Sequence, residues 1–371
     1  MNHRERHLAV LRGEPVDRVP DFEFGAWTET ITRWHGEGLP ADLTDNDGAL
    51  RDWFHLDDEE FGPSPYVNIG LEPGFQARVL EDKGDYEVVL DWDGATCEQM
   101  KPGRGTSIPH YLRFAIETRE DWKKIRDERL DWRNPDRIPK DLEELCKKSF
   151  TADYPVTMGT GSLYGWLRNW LGVENFSMLF IEDPEWVEEM MEHLTQLAEK
   201  VLEKLAGKCK IDRMDWWEDM CYKDGSLLSP VMFKKLMVPR YKRITSLVRE
   251  GCGCEFNMLD CDGKIHQLVG LWLESGINVM FPLEAAHTDA FKISQEFGKK
   301  VALRGYVDKI PLIRGPEAID REIEKLKKLL KCGYFIPHVD HRVPPDVSME
   351  NYRHYRRKKC EMIGKPYREG R

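Results

Sequence analysis

Four side chains that close strand-like runs have the types and spacing to hold a divalent metal. Asp260 and Asp262 lie in Asn257-Met-Leu-Asp-Cys-Asp-Gly263, Glu284 ends Gly276-Ile-Asn-Val-Met-Phe-Pro-Leu-Glu284, and His341 ends Gly333-Tyr-Phe-Ile-Pro-His-Val-Asp-His341. Residues i and i+2 of a strand point the same way, so Asp260 and Asp262 should share a face while Cys261 turns into packing. Carboxylates with one imidazole suit Zn, Mn or Fe(II), with zinc the first expectation. His287, just past Glu284, is a further candidate ligand. Without a metal, His341 reads as a general acid. In the plainer reading, Asp-Gly is an ordinary turn and the strand-end carboxylates cap the helices that follow. The residues alone leave both readings open.

A second acidic end is Arg213-Met-Asp-Trp-Trp-Glu-Asp219. Glu218 or Asp219 would orient a ligand or move a proton, with a helix cap or ion pair as the alternative. Trp27, Tyr164 and Trp166 are expected to wall an apolar pocket, with His338 turned into the same cleft or buried and hydrogen-bonded. Cys252 and Cys254 stand at a strand start, the wrong end for barrel chemistry, and read as structural.

These side chains need a scaffold that gathers strand ends. The run from 254 to 284 reads as strand, turn, helix, strand, and a parallel barrel carries its chemistry at the C-terminal ends of such strands. From residue 154 onward strands and helices alternate, which argues for a parallel sheet with right-handed crossovers. Asp183-Pro184 and Ser229-Pro230 read as helix starts, with the polar residue as cap and proline at the first helical position. Further helices are expected over 1–13, 42–54, 119–129, 139–148 and 316–331, and after Ser348, with a first strand over 21–25. Residues 65–115 differ: short alternating runs separated by Lys83-Gly-Asp and Asp93-Gly predict an antiparallel β-meander inserted near the barrel mouth. Seven barrel strands can be placed and the eighth has no clear position. The expectation is an α/β protein, a (β/α)8 TIM barrel with an N-terminal antiparallel insertion, forming one domain over 1–371.

Composition narrows the class. The chain has 371 residues, 41% of them hydrophobic, which suits one barrel with insertions. A formal net charge of −11 argues against a nucleic-acid partner. No apolar run approaches the roughly 18 residues of a membrane span, and the N-terminus lacks the apolar core of a secretory signal. Nine scattered cysteines without a CxxC pair suggest reduced thiols and a cytoplasmic location.

The chain resembles the uroporphyrinogen decarboxylase superfamily, which includes zinc-dependent methyltransferases that work with methylcorrinoid proteins. The resemblance is carried by Arg18-Val-Pro20, Glu29-Thr-Ile-Thr-Arg-Trp34, Gly161-Ser-Leu-Tyr-Gly-Trp166, Glu218-Asp-Met-Cys-Tyr-Lys223 and Asp260-Cys-Asp-Gly263. Pro282-Leu-Glu284, Arg304-Gly-Tyr-Val-Asp308 and Asp340-His341 before Val343-Pro-Pro345 extend it. It implies a (β/α)8 barrel, with Arg304 among the substrate-binding residues. Two departures stand out. The arginine-rich segment that holds substrate carboxylates in the decarboxylase has no counterpart after 22–26. Where the methyltransferases carry His-x-Cys-Gly, a glutamate and a later cysteine, this chain carries Asp260, Asp262, Glu284 and His341, a harder ligand set. The resemblance therefore implies a methyltransferase moving a methyl group from a small donor, such as a methoxylated aromatic, to a corrinoid on a partner protein. No Asp-x-His-x-x-Gly corrinoid motif occurs in the chain itself. A homodimer is compatible with the family. The alternative is a decarboxylase of a porphyrinogen or smaller acid, and a third class is a non-catalytic ligand-binding barrel.

Overall fold

The computed structural model describes residues 1–43, 47–57, 62–101 and 109–370. In chain order its strands are β1 Arg78–Lys83, β2 Tyr86–Leu90, β3 Thr96–Met100, β4 His110–Arg113, β5 Thr157–Gly161 and β6 Arg213–Trp217. There follow the two-residue pair β7 Cys221–Tyr222 and β8 Gly225–Ser226, then β9 Phe256–Asp260, β10 Val279–Leu283, β11 Ala302–Val307 and β12 Phe335–Val339. β1 to β4 form the expected antiparallel meander in the order β1-β2-β3-β4, and β5 to β12, without the β7–β8 pair, form a six-stranded sheet in the order β12-β11-β10-β9-β6-β5. Every pairing in that sheet is parallel. Helices join successive parallel strands, as in a barrel of the TIM type.

Two further stretches run along the edges of the sheet. Residues 21–26 lie beside β12, where Ala26 and Val343 form a parallel bridge. The expected first strand does not zip into a ladder. Its Glu23 side chain intervenes, accepting a hydrogen bond from Val339 N at 3.2 Å that a main-chain carbonyl would otherwise take. On the other edge, Ser64 Oγ accepts from Thr157 N of β5, and residues 66–70 share a cavity with Met158 and Gly159. The six parallel strands, with one such stretch at each edge, are consistent with a TIM barrel.

Local chemistry explains most helix boundaries. Asn2 makes a capping box with Glu5 before helix His3–Arg12, which ends on left-handed Gly13. Asp183 caps Pro184–Leu202 and Ser229 caps Pro230–Leu236, both with proline in the first turn. Ser348 caps Met349–Ile363. The helix expected over 42–54 appears as Asp47–Trp53, and residues 44–46 lie outside the described residues. Apolar residues of the first helix, Val10 and Leu11, join Phe22, Phe256, Val279, Ala302 and Ile336 in a core cluster that fills the barrel floor. At Gly305 the backbone has φ 107°, and a Cβ there would come within 2.7 Å of Leu283 N, so only glycine lets β10 and β11 approach this closely.

Residues 21–26 are secured from outside by the last helix. Arg356 is bidentate to Asp21 with both bonds at 2.7 Å, and Lys359 reaches Glu23 at 2.7 Å; all four residues are buried. Burial opposes ionisation of Asp21, but Arg356 and Lys359 outweigh it and hold the carboxyl well below the usual carboxylate range. A carboxylate with a depressed folded pKa stabilises fully above its unfolded value and loses that contribution only as pH falls through the folded value. We therefore expect this clasp to survive mild acid. Arg356→Ala should lower unfolding free energy by about 3–5 kcal/mol, because Asp21 loses its bidentate partner in a buried site. Urea denaturation of the two proteins at pH 7 checks this.

Candidate active site

The turn after β9 carries the densest chemistry. Gly263 has φ 83°, and a Cβ there would sit 2.9 Å from the Tyr222 carbonyl, so the turn lies flush against the β7–β8 hairpin. Gly263 N donates to Glu284 Oε2 at 2.7 Å, and Thr288 Oγ1 donates to Gly263 O at 2.8 Å. Asp262 N donates to Asp219 Oδ1 at 3.3 Å. Asp219 itself adopts φ 43°, a left-handed conformation that aspartate tolerates better than most residues, and Arg168 Nη1 donates to its carbonyl at 2.6 Å. Such strained backbone concentrates at functional sites.

Around this turn the structure brings together Asp219, Asp262, Glu284, Asp340 and His341 with one ammonium, Lys309. Asp262 Oδ2 is 3.6 Å from His341 Nε2. Lys309 Nζ is 3.6 Å from both Glu284 Oε1 and Asp340 Oδ1. Partial burial and the neighbouring Asp219 and Glu284 carboxylates raise the Asp262 pKa to about 7. Burial likewise raises Asp340 to about 6, although Lys309 opposes it. Burial and the charge of Lys309 lower His341. The His341 ring stacks on Trp27 at 5.6 Å and meets Phe24 edge-on at 5.6 Å.

Beside the cluster a cavity of about 680 Å³ opens into the lumen. Trp166, Trp217, Tyr66, Phe24 and Phe281 supply its ring surfaces, and Asp260 lies in its wall. The expected shared face of Asp260 and Asp262 is therefore divided. Asp260, the last residue of β9, faces the cavity; the chain then turns, and Asp262 reaches the His341 cluster. Cys261 between them is buried in the main core, as its alternation predicts. Phe24 touches both cavity and His341, so the two regions are contiguous.

Several expected site residues do other work. Glu218 is fully buried and accepts from Ser162 Oγ, the main-chain N–H groups of Leu163, Tyr164 and Gly165, and Tyr241 Oη. It anchors the entry to helix Gly165–Leu171, which makes it a positioning residue. Burial raises its pKa against the pull of those donors. Tyr164 is outside the lining of this cavity; it is 1% exposed and packs on Phe176 and Phe180. His338 is buried, with Nδ1 donating to Val339 O at 2.7 Å and its ring among Phe22, Phe24 and Phe281. Arg304 is buried beneath the cavity floor, its guanidinium over Phe22 at 4.3 Å and Phe281 at 5.3 Å. Trp166 does line the cavity, while Trp27, 42% exposed, covers His341 at the mouth. His287 sits in the turn after Glu284 and donates its N–H to Glu284 O. Cys254 is buried in the core and Cys252 packs against Cys209.

The expected metal ligands do not fit a metal as arranged. Among the described residues, no three histidine, cysteine or carboxylate side chains converge as a metal requires. Asp262 and His341 come together, but Glu284 spends one oxygen on Gly263 N and turns the other toward Lys309. Of the expected ligands, Glu284 thus has an ammonium beside it. The sequence reading missed Lys309, Asp340 and Arg168. Asp340 carried a usable signal: it shares the alternation of Ile336 and His338 along β12.

The family model for uroporphyrinogen decarboxylase (URO-D) matches residues 96–357, well over half of the chain. The chain belongs to the uroporphyrinogen decarboxylase family. A curated uroporphyrinogen decarboxylase from Vesicomyosocius okutanii subsp. Calyptogena okutanii (strain HA) is 37% identical over 65 residues, covering 17% of this chain and 19% of that protein. The match thus spans about a fifth of that relative's length. Among solved structures, a methyltransferase from Methanosarcina mazei superposes with a TM-score of 0.58 at 16% identity, covering 97% of this chain and 99% of that one. At that identity the likeness speaks for the fold.

The two neighbouring acids can be told apart by experiment. Glu218→Ala leaves several buried donors without their acceptor and should cost about 3 kcal/mol or more of stability. Asp219→Asn should stay within about 1 kcal/mol of the parent, since it keeps the backbone conformation and the side-chain oxygen. Thermal and urea melts of both variants check this.

Proposed function

We propose that this chain is a methyltransferase that takes a methyl group from a small methoxylated aromatic and delivers it to a corrinoid on a partner protein. The observation that carries the reading is the Asp262–His341 pair at the mouth, a carboxyl raised to about 7 beside an imidazole. An aryl ether oxygen leaves less readily as a phenoxide than as a neutral phenol, so a donor that still holds its proton near neutral pH meets the main chemical demand. Asp262 gives its proton to the ether oxygen as the methyl–oxygen bond breaks. His341, held by Trp27 and Phe24, orients that carboxyl and returns a proton to it between turnovers. Lys309, beside Glu284 and Asp340, opposes protonation of Asp262, but burial and the Asp219 and Glu284 carboxylates outweigh it and keep the proton on Asp262. Trp166, Trp217 and Phe281 hold the ring in the cavity. The partner's corrinoid would supply the methyl acceptor from the open side of the barrel.

The decarboxylase alternative shares the family and the acid pair. Against it stands the mouth itself, where Asp219, Asp262, Glu284 and Asp340 gather. Holding a substrate with many carboxylates takes several fixed guanidinium groups.

The reading predicts methylcobalamin formation when the protein, cob(I)alamin and a methoxyarene are mixed without oxygen. Asp262→Asn should reduce kcat/KM roughly 10²–10⁴-fold. The acid must be protonated to act, so the rate should fall as pH rises through about 7. Prior chelation should leave the rate unchanged. Release of CO₂ from a porphyrinogen, without methyl transfer from any methoxyarene, would favour the decarboxylase instead.

A further inference from the structure

The cavity has a one-sided chemistry that the proton-donating cluster does not require. Its lining includes four carboxylates, Glu72, Asp136, Asp215 and Asp260, and no lysine, arginine or histidine among the described residues that line it. The cations behind the wall are engaged there. Arg213, fully buried, meets Asp215 at 2.7 and 3.1 Å. Arg168 lies over the Trp217 ring at 5.1 Å and Arg304 over the Phe281 ring at 5.3 Å. Even the Asn68 amide in the lining turns its donor to Leu71 O and Glu72 Oε2. The lumen therefore offers ring faces and hydrogen-bond acceptors without a fixed positive charge in its lining.

We propose that this cavity selects its substrate by charge, taking an uncharged methoxyphenol and rejecting methoxyarenes that carry a carboxylate. This rests on the methyl-transfer reading and narrows its substrate class. A phenolic hydroxyl is a donor, and an ionised carboxylate only accepts, so the two are complementary. The aromatic walls suit either ring equally and do not discriminate. An arene carboxylate entering the same space would lose water beside like charges with no cation to pair it. Repulsion of this kind is an effective source of specificity.

The test separates binding from turnover. Tryptophan fluorescence quenching, checked by calorimetry, compares 2-methoxyphenol with 2-methoxybenzoate on the full chain at pH 7, where the phenol is neutral and the benzoate ionised. The phenol should bind at least about tenfold more tightly, given the like charges that face the benzoate. The ratio should shrink toward one in Glu72→Gln/Asp136→Asn. Asp136→Asn alone gives a second reading if the double variant does not fold. Equal or tighter binding of the benzoate, binding of neither compound, or a ratio unmoved in a folded variant would overturn charge selection. A phenol that binds preferentially but yields no methylcobalamin would instead defeat the methyl-transfer reading and leave charge selection standing.

Discussion

The edge stretch beside the sheet is held in place by charge. Asp21 and Glu23 point outward from the edge stretch 21–26, and Arg356 and Lys359 of the last helix meet them in a place that water does not reach. Burying such a pair costs heavily in desolvation and is tolerated only when its hydrogen bonds are satisfied. Here Glu23 also takes Tyr355 Oη and Val339 N, so the carboxylate joins helix, edge stretch and β12 in one contact set. The inward residues of the stretch inherit their positions from this clasp. Phe22 reaches the floor, Phe24 reaches the cavity and His341, and Trp27 follows onto the His341 ring.

At the other end burial and repulsion among carboxylates act together. Arg168 stands 3.6 Å from Asp219, and Lys309 3.6 Å from Glu284 and Asp340, while Asp262 faces His341. Asp262 is the carboxyl that keeps its proton, because burial and then the Asp219 and Glu284 charges press on it. Adjacent Glu218 shows the opposite solution. Main-chain N–H groups and two hydroxyls surround it, and it serves as the anchor of a helix start.

Much of the fold was legible because its signals are local. Caps such as Asp183 and Ser229 with the following prolines, and the alternation in the meander, depend on neighbours in sequence and came out where expected. The edge stretches were harder. Residues 66–70 lack a ladder of their own, and Glu23 displaces one at 21–26. At the site, residue type and strand end grouped Asp260, Asp262, Glu284 and His341, with Asp219 read separately beside Glu218; the structure turns Asp260 to the cavity and brings Asp219 to the other three. Their mutual arrangement depends on Lys309, which follows a strand far along the chain and has no signature at short range. Glu218 and His338 looked equally reactive on paper. What separates them from Asp219 and His341 is burial against distant partners, Tyr241 for one and three phenylalanines for the other.

The left-handed backbone at Asp219 has a consequence for how this site can change over evolutionary time. At φ 43° a β-branched or bulky side chain would be strained, whereas asparagine and glycine fit the same backbone. Sequence drift at that point is thus channelled toward residues that remove a charge while preserving shape. A lineage can retune the acidity of the mouth there, through one codon, without first rebuilding the turn that holds it.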